Sequence, residues 1–318
     1  MPAFRLITIA MVAGMCLPVQ AQKYPEKVIR YLVTDQPGSN IDLLARIVAE
    51  KLSEDFGRQV IVDNRAGAGG NIGAEIGARA AADGYTLVQL ATTHAVNMSL
   101  YRNLPYNFLR DFTPVTLLAS SPSVAVVPAS STIQSVVDLV KQAKDKPGAL
   151  QYASAGAGTC TFLAAELFLK KAGVDVLHVP YKGGAPALTA VLSGESSMYF
   201  APLGPALPQI KQGRLRALGV SSLKSVAQLP ATPPIADAGL PGYEFSCWYG
   251  LFVPAGIPKD RLAAIHTAVV SALNNPAVRK RLIDIGFMPG GNTPAEFAAY
   301  VKAEAATARE LVKNIPPQ

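Results

Sequence analysis

Apolar and polar positions along this chain follow two alternating periods. Residues 28–34 form a short, mostly apolar run that ends in the turn-forming stretch Asp35-Gln36-Pro37-Gly38-Ser39-Asn40, the pattern of a buried strand. From 41 to 56 apolar residues recur at Leu43, Leu44, Ile47, Val48, Leu52 and Phe56, the spacing of one helix face. Ser39 or Asn40 suits its N-cap, Asp42 suits the positive end of its dipole, and Gly57 suits its end. A strand over 60–62, a loop over 64–70, a helix over 71–82 and a strand over 85–90 follow. Strands and helices in this order predict a parallel sheet with right-handed crossovers.

The plan then restarts. Strand 124–127 leads to helix 135–144, and a strand ending at Tyr152-Ala153 leads through Ala155-Gly156-Ala157-Gly158-Thr159 into helix 162–172. Strand 177–179, loop 180–184, helix 185–192 and strands over 198–200 and 215–220 complete the second unit. After Pro- and Gly-rich loops at 232–234 and 239–242 come strand 249–253 and helices over 259–273, 277–285 and 294–312. The fold expected is α/β, with two lobes on parallel-rich sheets joined by crossing strands. Lobe 1 comprises 22–123 plus 245–318, and lobe 2 comprises 124–244. In such sheets ligands sit beyond the carboxyl ends of strands, at helix N-termini, and facing lobes turn those ends into a cleft.

The N-terminus adds a compartment. Arg5 precedes an apolar run over 6–17 and then Val19-Gln20-Ala21, the layout of a secretory signal peptide over 1–21. The run is shorter than the roughly 20 residues of a membrane span. Cys16 lacks the small preceding residue of a lipidation site, since Met15 stands there. Export leaves Cys160 and Cys247, which either pair in an oxidising compartment or stay as two buried thiols. Two cysteines and three scattered histidines, His94, His178 and His266, form no metal-binding pattern. The net charge of +7 is spread along the chain without a basic, aromatic-interleaved stripe, so no nucleic-acid partner is expected. No metal or cofactor is expected, and the protein is expected to act as a monomer.

Three loops share one chemistry, small residues at a helix start: Pro37-Gly38-Ser39-Asn40, Gly67-Ala68-Gly69-Gly70-Asn71 and Gly156-Ala157-Gly158-Thr159. Glycine lets backbone N–H groups approach a ligand, and helix N-termini attract anions. Any one of them alone is also an ordinary tight turn. Catalytic motifs fall short. Gly67-Ala68-Gly69-Gly70-Asn71-Ile72-Gly73 only approximates a dinucleotide loop, and the following strand lacks a ribose-binding acid. Ser154 lacks the first glycine of a nucleophile elbow, and no nucleophile, base and orienter set emerges.

The same loops carry a resemblance. Tyr24-Pro25-Glu26-Lys27-Val28, Asp63-Asn64-Arg65-Ala66-Gly67-Ala68-Gly69-Gly70-Asn71-Ile72-Gly73, Asp83-Gly84-Tyr85-Thr86-Leu87, His178-Val179-Pro180-Tyr181-Lys182-Gly183 and Trp248-Tyr249-Gly250-Leu251 resemble, in order, the Bug-type receptors of tripartite tricarboxylate transport systems. The resemblance implies a type II Venus-flytrap fold and a carboxylate held by backbone amides, hydroxyls and water. It implies contacts from Pro37, Gly38, Ser39, Ala68, Gly69, Gly70 and Thr92 in lobe 1, and from Ser154, Gly156, Gly158 and Thr159 in lobe 2. The chain departs from the family pattern at Ser39, Phe162, Ser197 and Ala201.

The function expected is therefore periplasmic capture of a small carboxylate, without catalysis, for delivery to membrane transporter subunits. A sensor serving a signalling partner and a periplasmic enzyme on a similar frame remain as alternatives. Because residues 196–202 bring no acid into the cleft, a ligand without an ammonium group is expected, with Asp35 and Asp42 left as possible partners for an amine and Asp42 better explained as a helix-start residue paired with Arg46.

Overall fold

A computed structural model of the chain describes residues 24–313, so the expected signal peptide lies outside the described residues. The first unit runs β1 (Ile29–Val33), α1 (Asn40–Phe56), β2 (Val60–Asn64), α2 (Asn71–Ala78), β3 (Thr86–Ala91), α3 (Thr92–Leu100) and the single turn α4 (Phe108–Asp111). The long strand β4 (Phe112–Pro128) leads to α5 (Val136–Asp145), β5 (Gln151–Ser154), α6 (Cys160–Ala172), β6 (Leu177–Pro180), α7 (Gly184–Leu192), β7 (Met198–Pro202), α8 (Leu203–Lys211) and β8 (Leu215–Val220). The return is β9 (Ser246–Pro254), α9 (Lys259–Asn274), α10 (Pro276–Asp284), β10 (Met288–Pro289) and α11 (Pro294–Leu311).

β2, β1 and β3 lie side by side and parallel, and β9 enters antiparallel between β3 and β4. β5 runs parallel to β6 and β7, while β7 and β8 flank the far half of β4 antiparallel. β4 belongs to both sheets. Pro122 pairs with Ser246 of β9, and the next residue, Ser123, pairs with Pro202 of β7. Proline lacks the N–H of a ladder bond, so Pro122 suits the point where pairing changes hands. This is a two-lobed binding-protein fold, with one continuous strand running through both sheets.

Aromatic packing anchors the first sheet. Trp248 is fully buried against Phe108, Phe252 and Phe297. Phe297 lies across β9 where Gly250 leaves room for it. It stands in the first turns of α11, whose start is a capping box: Thr293 accepts the Glu296 N–H and Glu296 accepts the Thr293 N–H. Truncating Phe297 to alanine costs about 3–5 kcal/mol by the usual scale for a buried aromatic ring. The C-terminal helices thus seal the sheet that carries the first set of loops.

Candidate functional site

The loop before α1 is locked from below. Ser39 caps the helix by accepting the Asp42 N–H, and the Asp42 carboxylate accepts from Gly38 N (2.8 Å), Arg46 Nε (2.9 Å) and Asn64 Nδ2 (3.0 Å). Burial would raise the Asp42 pKa, but these partners outweigh it and hold the carboxyl below its ordinary value. In the second loop, Gly67, Ala68, Gly69 and Gly70 all have positive φ; Ala68 (φ 48°) is the one non-glycine so placed among the described residues. In the third, Gly156 and Gly158 turn the chain so that Thr159 caps α6.

These loops enclose a cavity of about 820 Å³, a size that suits a small-molecule site. Its wall includes the first residues or caps of six helices: Ser39 and Asn40 of α1, Gly70 of α2, Thr93 of α3, Thr159 to Thr161 of α6, Gly183 to Ala185 of α7, and Pro202 of α8. Each such end carries unsatisfied N–H groups and partial positive charge. Among the described residues Lys182 is the only lysine or arginine on the wall, and it is exposed. The lobes meet across the cavity. A Cβ on Gly69 would stand 3.3 Å from Ala157 O, and one on Gly158 would stand 2.5 Å from Asn97 Oδ1.

Residues 44–316 match the family described as tripartite tricarboxylate transporter family receptor. The chain belongs to that receptor family. It is 33% identical over 294 residues to the protein BugT of Bordetella pertussis (strain Tohama I), covering 92% of this chain and 90% of BugT. Its fold is similar to an R. palustris protein solved with adipate (34% identity, TM-score 0.90, 93% of this chain and 100% of the other). It is also similar to MatC from Rhodopseudomonas palustris, solved with bound malate (28% identity, TM-score 0.86, 91% and 100%).

In this receptor the cavity wall includes Gly38, Ser39, Ala68, Gly69, Gly70, Gly156 and Thr159. The remaining four residues implied by the resemblance stand elsewhere. Pro37 is exposed beside the cavity. Thr92 is buried and its hydroxyl accepts the Trp248 N–H (3.0 Å), while its neighbour Thr93 faces the cavity. Ser154 is fully buried behind its loop, where Oγ accepts the Gly156 N–H (3.0 Å) and pairs with His178 Nε2 (2.6 Å). Gly158 sits at the interlobe contact with Asn97.

Other wall residues lie in the loop and family-like segments, as Asn40, His178 and Tyr249 do, or have no motif to mark them, as with His94. Asn40 donates through Nδ2 to Tyr249 Oη (2.9 Å), and its Oδ1 finds no partner in the protein. His94 accepts the Ala91 N–H on Nδ1 (3.0 Å), so in the neutral ring Nε2 carries the proton; that nitrogen is buried without a partner. Burial pushes both His94 and His178 down to about 4, so both rings are neutral near pH 7. Tyr199 Oη is also buried without a partner. Tyr199 is the second residue of β7 and Tyr249 lies in the first half of β9, positions along a strand that periodicity alone cannot distinguish from core.

Cys160, the first residue of α6, and Cys247, on β9, stand as a disulfide pair with Cα atoms 5.8 Å apart, at the floor of the cavity. Among the described residues no helix is long and apolar enough to cross a membrane.

Proposed function

We propose that this receptor is a periplasmic binding protein that captures a small carboxylate between its lobes and hands it, chemically unchanged, to a membrane transporter. The observation that carries the reading is the convergence of six helix N-termini on one cavity whose only lysine or arginine, among the described residues, lies at its rim. Such ends hold a carboxylate without a full countercharge. The adipate and malate of the related proteins are carboxylates and fit the same chemistry. The contacts we assign are Gly38, Ser39 and Ala68 to Gly70 from lobe 1, and Gly156 and Thr159 from lobe 2. The lobes we assign are 22–123 with 245–318, and 124–244. The change of pairing between Pro122 and Ser123 and the return at Ser246 support these boundaries. Binding without turnover is supported at Ser154, whose oxygen is fully buried, and at His178, which no carboxylate hydrogen-bonds among the described residues.

A thermal-shift panel of dicarboxylates, aromatic acids and amino acids tests the reading, because a ligand bound only by the folded state raises the melting temperature. At a hundredfold excess over Kd the expected stabilisation is about 2.7 kcal/mol. No shift with any carboxylate would overturn it.

A further inference from the structure

One acid does enter the cleft, from lobe 1. Asp35 lies in the turn between β1 and α1, partly buried on the cavity wall. Its Oδ1 accepts the adjacent Gln36 N–H (2.7 Å), and no lysine, arginine or histidine forms an ion pair with it among the described residues. Asp42, seven positions on, differs in kind: it is committed to Arg46, Gly38 and Asn64. Across the cleft the loop before α7 closes over Asp35, with a Cβ on Gly183 standing 3.1 Å from Oδ1. The next residue back, Lys182, turns to solvent instead of to this carboxylate. Burial raises the Asp35 pKa, opposed by the Gln36 N–H and the Ser39 hydroxyl and reinforced by the Asp42 charge; burial first, and the Asp35 charge as a smaller cause, raise the phenols of Tyr199 and Tyr249. Tyr199 Oη is buried on the same wall without a partner, because the neighbouring Thr161 hydroxyl bonds Ala155 N and Thr159 Oγ1.

A carboxylate covered by the opposite lobe without a cation is costly unless the ligand satisfies it. A second ligand carboxylate at this point would add a like charge in a poorly hydrated space. An ammonium group would complete an ion pair that forms only when ligand is present and the lobes are closed. We propose that Asp35 is the specificity-determining residue of the cleft, which takes a small aminocarboxylate with its carboxylate on the helix N-termini and its ammonium on Asp35. This rests on the carboxylate-receptor reading and reverses the expectation of an amine-free ligand: the acid missing from 196–202 is supplied by the other lobe.

The test is calorimetric titration of the full receptor, freed of retained ligand, with pairs that differ only by the ammonium group: glutamate and glutarate, aspartate and succinate, leucine and 4-methylpentanoate. The wild type is expected to bind the amino member of at least one pair at least tenfold more tightly. The near-isosteric Asp35→Asn should abolish that preference while keeping the melting temperature of the empty protein. Should Asp35→Asn fold poorly, Asp35→Glu replaces it and is expected to retain the preference for the amino member. Preference for the des-amino acid in every pair overturns the proposal and leaves the carboxylate reading standing, as does an amino preference that survives Asp35→Asn. Absence of binding by all six compounds overturns the proposal, and the wider thermal-shift panel then decides the carboxylate reading.

Discussion

At the scale of single residues, the cleft is built from side chains that the protein itself leaves unsatisfied. Among these the imidazole of His94, whose Nε2 has no partner in the protein, changes charge on acidification. It is buried, and its pKa is pushed from 6.5 down to about 4. Below pH 6.5 the unfolded chain takes up a proton that the folded chain refuses until about pH 4, so stability falls as pH drops through that window. At pH 5 the loss is about 2 kcal/mol. Urea unfolding at pH 7.5 and pH 5 should therefore show a smaller acid-side loss in His94→Gln than in the wild type. An equal loss in both would refute the assignment. Residues of this kind were hidden in the sequence. The glycine loops, Asn40 among them, announce themselves by composition, whereas His94 matters because distant segments bring it to the same wall. Thr92 shows the converse: its position near the cleft was legible, but its hydroxyl serves a backbone N–H of β9.

At the scale of elements, alternating patterns revealed most of the α/β order but not its central strand. Only residues 124–127 of β4 read as strand, although it spans Phe112–Pro128. Pro114 and Pro122 interrupt the pattern, and shifts of register after Pro114 and Leu117 break the alternation. α8 was concealed in the same way by Pro205 and Pro208. α3 was missed because its mixture of threonine, histidine, asparagine and apolar residues is buried almost throughout and shows no polar face. Helix α2 ends at Ala78, earlier than its alanines suggested, in the turn that leads to β3. The disulfide belongs to this scale, because it ties the start of α6 to β9, opposite Ser121 of β4. It closes a sequence separation of 87. Reduction is expected to lower stability by about 4.6 kcal/mol through the freedom returned to the unfolded chain. Unfolded, unreduced protein lacking residues 1–21, and so Cys16, should show no free thiol; two would refute the bridge.

At the scale of the molecule, the lobes touch through positions where a side chain has no room. Ligand contacts drawn from both lobes favour the closed arrangement. Scattering should thus give a smaller radius of gyration at saturating ligand than without it. Gly158→Ala places a methyl group against Asn97 and Leu100, and φ of +77° adds backbone strain. It should act as a wedge that weakens binding by about 1–3 kcal/mol and reduces the contraction. Full contraction and unchanged affinity in this variant would show that the lobes do not close through this contact.

The position of β9 also bears on the order in which the molecule can be assembled. It occupies the middle of the first sheet, between β3 and β4, yet its residues come after all of β5 to β8. A chain growing from its N-terminus can complete the second sheet once Val220 has emerged. Its first sheet then still has a gap with two open strand edges, and Phe108 still lacks Trp248. The first sheet is therefore completed only when β9, ending at Pro254, takes its place between its two neighbours.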